Sequence, residues 1–154
     1  MPGINTVMIG VAAVTAVDNV LSRPIAEAEN RILTRYVLTV ITPQPANLQT
    51  AHNNFLDALR NDAAIPQNVK SLAELRLNRT LFLFNQLRNN RIAFDNAFRA
   101  SGNNAAFLDT LQAQQLNQQY GQAAGVLRRI VPEDAFRELL TYASARPIRK
   151  VPPD

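Results

Sequence analysis

The chain has no cysteine and no tryptophan, a single histidine, and only five glycines in 154 residues. Without cysteine there is no disulfide framework, no thiolate metal site and no cysteine nucleophile. Reducing and oxidising compartments both tolerate such a chain, so its setting stays open. The lone histidine, His52, rules out multi-histidine metal sites and most histidine-based acid–base dyads. On its helix it reads as a surface or interface residue. A di-iron bundle needs Glu-x-x-His repeats, and none is present. Gly-rich phosphate loops, the G-x-S-x-G elbow and the P-loop are missing as well. Asp134 and Glu138 stand one turn apart, but acids at a helix start favour its dipole and Arg137 can neutralise them. The chain is read as a non-enzyme, with no cofactor, no metal and no small-molecule substrate.

Lysine is scarce too. Lys70 and Lys150 are the only two, against fourteen arginines. Asn and Gln crowd positions where a free soluble helix normally carries Glu and Lys. Arginine grips phosphate with a planar fork, and amides donate and accept at packed interfaces. Net charge is +4 and the pI about 10.1, which permits a polyanionic partner without requiring one. The apolar fraction of 47% supports a real core. A single domain of this length buries roughly 70% of its unfolded surface.

The most apolar run, residues 7–17, has no basic residue before it, so the basic flank of a secretory leader is missing. It is also too short to span a bilayer. It reads as a helix buried in its own fold or against a partner. The pattern is helical almost throughout. A first helix is expected over residues 5–21, and a second, with Ser22 as N-cap and Pro24 in its first turn, to about residue 41. Its β-branched end, residues 36–41, also has strand character. Pro43-Gln-Pro45 is a stiff break. Asn47 caps a third helix that ends before Pro66. Ser71-Leu-Ala-Glu74 reads as a capping box opening a helix of on the order of 45 Å that reaches residue 100. Gly102 closes it. A fifth helix, residues 104–131, presents a seam of Ala113, Leu116, Tyr120, Ala123, Leu127 and Ile130. Pro132 then opens a sixth, residues 133–145. The expected fold is all-α: an N-terminal helical arm (1–42) hinged at prolines to an antiparallel helix bundle (47–145), with a basic Pro-rich tail (146–154).

Counting local partners sorts the arginines. Arg31 has Glu27 one turn away, Arg60 has Asp57, Arg137 has Asp134, and Asp95 lies between Arg91 and Arg99; such pairs contribute a few tenths of a kcal/mol each. Arg35, Arg76, Arg79 and Arg88 have no acid at helical spacing. Arg76 and Arg79 stand three apart, as do Arg88 and Arg91, which is repulsive unless an anion lies between them. Interleaved with Asn78, Asn85, Asn89 and Asn90, they fit a phosphate backbone. The nine residues 112–120 carry no charge, which suits a subunit contact. Gly121 and Gly125, four apart, would let another helix approach closely.

With its cysteine-free length, its proline-hinged arm (Ser22-Arg-Pro24, Pro43-Gln-Pro45) and its Arg/Asn/Gln surface, the chain resembles the all-α major capsid proteins of filamentous and rod-shaped archaeal viruses. That resemblance implies a structural protein of the virion, assembled in the host cytoplasm, polymerising with copies of itself or a paralogous subunit around nucleic acid. Double-stranded DNA is favoured and RNA possible. It implies phosphate contacts from Arg23, Arg31 and Arg35 on the arm, then Arg76 and Arg79; Arg88 and Arg91 join them from the charge count. The arm departs from the family pattern, since nothing basic precedes Arg23. The other reading is a helical adaptor that binds protein partners without nucleic acid.

Overall fold

The computed structural model describes residues 15–144, and among them the chain is entirely helical, with no strand. Six helices follow in order: α1 Ala16–Leu21, α2 Glu27–Tyr36, α3 Leu48–Arg60, α4 Gln67–Ala100, α5 Leu111–Ile130 and α6 Glu133–Ser144. A π-helical turn, Val37–Ile41, extends α2, and a 3-10 turn, Ala105–Asp109, precedes α5. At 1.5 Å per residue α4 is about 51 Å long. It is the spine, packing against α2, α3, α5 and α6. None of the helices in the described residues is long and apolar enough to cross a membrane.

Helix ends follow the polar residues available. Asn47 caps α3 by accepting from the Thr50 amide at 3.0 Å. Thr110 caps α5 through the Ala113 amide, and Gly102 turns α4 off at φ +82°. Other ends differ from expectation. Ser22 is a C-cap: its hydroxyl returns to the Asp18 carbonyl, and α2 starts five residues later, behind Ala26. The cap that opens α1 is Thr15, whose hydroxyl and amide exchange bonds with Asp18. Ser71 lies inside α4, which begins behind Pro66, and Glu74 turns to Arg60 on α3 instead of to a cap. The expected fifth helix is broken at Thr110, where its own side chain restarts the backbone. The β-branched end of α2 stays helical, widened by the Thr42 amide bonding to the Val37 carbonyl at 2.9 Å.

Where it is described, the N-terminal segment packs into the common core. Leu21, Ile32, Leu33, Tyr36, Val37, Val40 and Ile41 are each at most 4% exposed, and they share one core with Leu77, Leu83 and Leu87 of α4, Leu127 and Ile130 of α5, and Leu139 of α6. The break at Pro43-Gln-Pro45 is a tight turn, with Gln44 at φ +51° and its amide on the Ile41 carbonyl. The greater part of the apolar run, residues 7–14, and the tail 146–154 lie outside the described residues. The α5 seam packs as expected: all of its members are buried except the half-buried Tyr120.

Candidate nucleic-acid interface and interaction surfaces

Arg76 is in the core. It is 1% exposed, and α4 aims its guanidinium at the ends of other helices. Nη1 donates to the Leu21 carbonyl at 2.6 Å and to the Ile130 carbonyl at 2.9 Å, the last residues of α1 and α5. Nε donates to Glu29 of α2 at 3.2 Å, and Nη2 to the Arg23 carbonyl at 3.3 Å. A cation here neutralises a buried carboxylate and two helix C-termini together. Burial pulls the Arg76 guanidinium below its ordinary value, and Glu29 opposes that pull.

Arg79 is also taken. Its Nε and Nη2 hold both carboxylate oxygens of Asp18 at 2.7 and 2.8 Å, a bidentate pair around a fully buried acid. Burial pushes the Asp18 carboxyl up; hydrogen bonds from Arg79 and Thr15 outweigh this and hold it below its usual 3.8. The expectation that Arg76 and Arg79 wait for an external phosphate is thus corrected. Each has a carboxylate from elsewhere in the chain, so no repulsion between them needs an anion to relieve it.

The other expected contacts fare differently. Arg23 is exposed in the α1–α2 linker. Arg31 is exposed and paired with Glu27 at 3.2 Å, as its spacing implies. Arg35 is exposed beside a cleft of about 100 Å³ that Asp62 also lines, and Arg88 is exposed with its guanidinium over the Phe84 ring at 5.5 Å. Neither makes an ion pair among the described residues. Arg91 is half-buried, 4.2 Å from the Tyr120 centroid and 5.2 Å from that of Phe94. Its Nη2 donates to the Asn90 and Asn117 amide oxygens, while its Nε is buried without a hydrogen-bond partner. Arg137 pairs with Glu133 and not with Asp134; Glu133 also takes Arg128, whose hydrogen bond is the main pull holding that carboxyl low.

His52 is 2% exposed, correcting its surface assignment. It bridges Tyr36 and Asn78: the Asn78 carbonyl oxygen accepts from Nε2–H at 2.8 Å, leaving Nδ1 to accept the Tyr36 hydroxyl at 2.7 Å. Burial pushes the Tyr36 phenol well up.

Over its first three turns the exposed side of α5 carries no charge. Gln114, Asn117, Gln118, Gly121 and Gln122 are all exposed there, Leu111 and Leu108 at its head are 67% and 49% exposed, and Arg128 and Arg129 return charge to this side in the last turn. Among the described residues neither glycine is in a close helix contact, since a Cβ at Gly121 or Gly125 would meet nothing within 4 Å. Among the described residues no group of acids and histidine is arranged to hold a metal ion. Comparison with protein-family models, with curated proteins and with solved structures finds no match.

Proposed function

We propose that this chain is a non-catalytic building block that works by packing against further copies of itself. The first three turns of α5 carry the proposal: five exposed positions without a charge on one side, continued by two exposed leucines. A face exposed to water normally carries charge for solubility. A neutral face of amides is complementary to itself, since each amide both donates and accepts and no like charges meet across a two-fold axis. Introducing Gln114→Arg with Gln118→Arg tests it by light scattering of the full chain. The unsubstituted chain should be oligomeric and the variant should fall to the single-chain mass. A single-chain mass without any substitution, or an oligomer indifferent to both arginines, would overturn the reading.

A second reading adds nucleic acid: a capsid or nucleoprotein subunit that polymerises around viral DNA or RNA through non-specific phosphate contacts. It draws support from Arg35 and Arg88, exposed cations without an ion pair among the described residues, and from the exposed Arg23. A hinged arm over an antiparallel bundle belongs to this reading and carries a cost. Seven side chains between Leu21 and Ile41 would leave the core, at about 10–20 kcal/mol in sum. That is as large as the whole stability of a typical domain, about 5–15 kcal/mol. The arm would swing only where a neighbouring subunit refilled the space. Long filaments holding nucleic acid that salt releases would favour this reading, and a discrete oligomer free of nucleic acid the first.

A further inference from the structure

The widened turn at the end of α2 does more than join two helices. It lies against α6 and forms with it a groove of about 370 Å³, lined by Thr34, Val37, Leu38, Ala135 and Thr141, with Asp134 and Glu138 along the rim. Its floor is apolar. Leu38 is 56% exposed there, the most open large apolar side chain after Leu111 among the described residues. Two of the polar side chains around it are occupied: Arg137 gives its Nε to Glu133 at 3.3 Å, and the Thr141 hydroxyl donates to the Arg137 carbonyl at 3.0 Å. The two carboxylates are exposed and make no ion pair among the described residues. The dipole of α6 accounts for Asp134 in its first turn. Glu138, a turn further in, lies beyond that effect.

An apolar floor with a two-carboxylate rim fits a cation on an alkyl stem beside a branched apolar side chain. We propose that the groove binds residues 146–151 of this chain, Arg-Pro-Ile-Arg-Lys-Val, which carry three cations and two branched apolar residues in six positions. Two prolines more follow at 152 and 153, and this composition favours an extended chain that enters a groove with little ordering cost. Reach is sufficient. Glu138 lies about 9 Å and Asp134 about 15 Å back along α6 from Ser144 at the helical rise. Six residues of extended chain span about 19 Å. The same segment of an adjacent copy meets the groove with the same chemistry. This assignment stands apart from the amide face on α5.

The two lysines make the test direct. A zero-length carbodiimide joins a lysine amine to a carboxylate already in contact with it, and Lys70 is held elsewhere, with its Nζ on the Arg60 carbonyl at 2.9 Å. In the full chain, Lys150 should be found joined to Asp134 or Glu138 ahead of all other carboxylates. Leu38→Arg puts a like charge on the floor at an exposed position, so helicity should hold while those cross-links fall by about tenfold or more. Mixing light and nitrogen-15-labelled chains tells which copy gives the segment: mixed pairs mean a neighbour, unmixed pairs the same chain, and either keeps the assignment. Lys150 joined indifferently across the surface, or cross-links that ignore Leu38→Arg, would overturn it. A chain of single-molecule mass that still forms the cross-link would end the subunit-packing proposal and leave the groove assignment in place.

Discussion

Replacing Arg76 by methionine keeps most of the stem and removes the guanidinium. The Glu29 side chain, 6% exposed, would then be buried without its cation, and the Leu21 and Ile130 carbonyls would lose a donor at the closed ends of α1 and α5. Breaking a buried pair from one side costs about 3–5 kcal/mol, mostly because the surviving charge stays uncompensated. Domains of this kind are stable by only about 5–15 kcal/mol, so the change is a large part of the whole. Urea unfolding followed by far-ultraviolet circular dichroism should show a much lower midpoint at an unchanged slope. Adding Glu29→Gln should recover part of the loss, since a neutral amide is cheaper to leave there. A cost under about 1 kcal/mol, the worth of an exposed pair, would refute the buried-staple account. Unchanged stability together with weakened nucleic-acid retention would return Arg76 to the phosphate-contact set.

Acid should loosen the α1–α4 contact. The Asp18 carboxyl is held below 3.8, so its contribution is complete above that pH and is lost as pH falls through the lower folded value. Unfolding midpoints measured down the pH scale should drop in that acid window, and Asp18→Asn, less stable at neutral pH, should show a shallower drop. At Gly121 and Gly125 the free space predicts the opposite sign: alanine at either should raise stability by about 0.5–1 kcal/mol in the single chain, by limiting the unfolded backbone. A loss measured by the same unfolding curves would show that the space is filled by a neighbouring copy.

The all-helical class was legible because apolar residues recur at helical spacing through α3, α5 and α6. The Asn47 cap, the Gly102 stop and the α5 seam could be read locally for the same reason. The partners of Arg76 and Arg79 could not, since Glu29 lies 47 residues away and Asp18 61. Counting acids one turn away tests only a helix's own surface. A signal was nevertheless present. Glu29 stands three and four residues before Ile32 and Leu33, on the stripe that the core takes, and Asp18 stands three before Leu21. An acid on an apolar stripe must be matched when buried, and an arginine without local acids is what can match it. His52 follows the same rule, four before Leu56 and seven before Leu59. Prolines mark where a backbone turns, not whether the two sides share a core, so the shared core of residues 21–41 with α4, α5 and α6 could not be read from them. Capping boxes misled for a related reason: Ser71 and Glu74 have the spacing, but Pro66 had already begun the helix.

The far end of α4 has a consequence of its own. Phe94 and Phe98 close there on Phe107, with ring centroids 5.4 and 6.1 Å apart, and none of the three belongs to the main core cluster. A small annex held by three rings opens at a fraction of the global free energy. Amides in that last stretch of the spine would trade their hydrogens for deuterium well ahead of those around Leu83, so the molecule would have two melting tiers built on one uninterrupted rod.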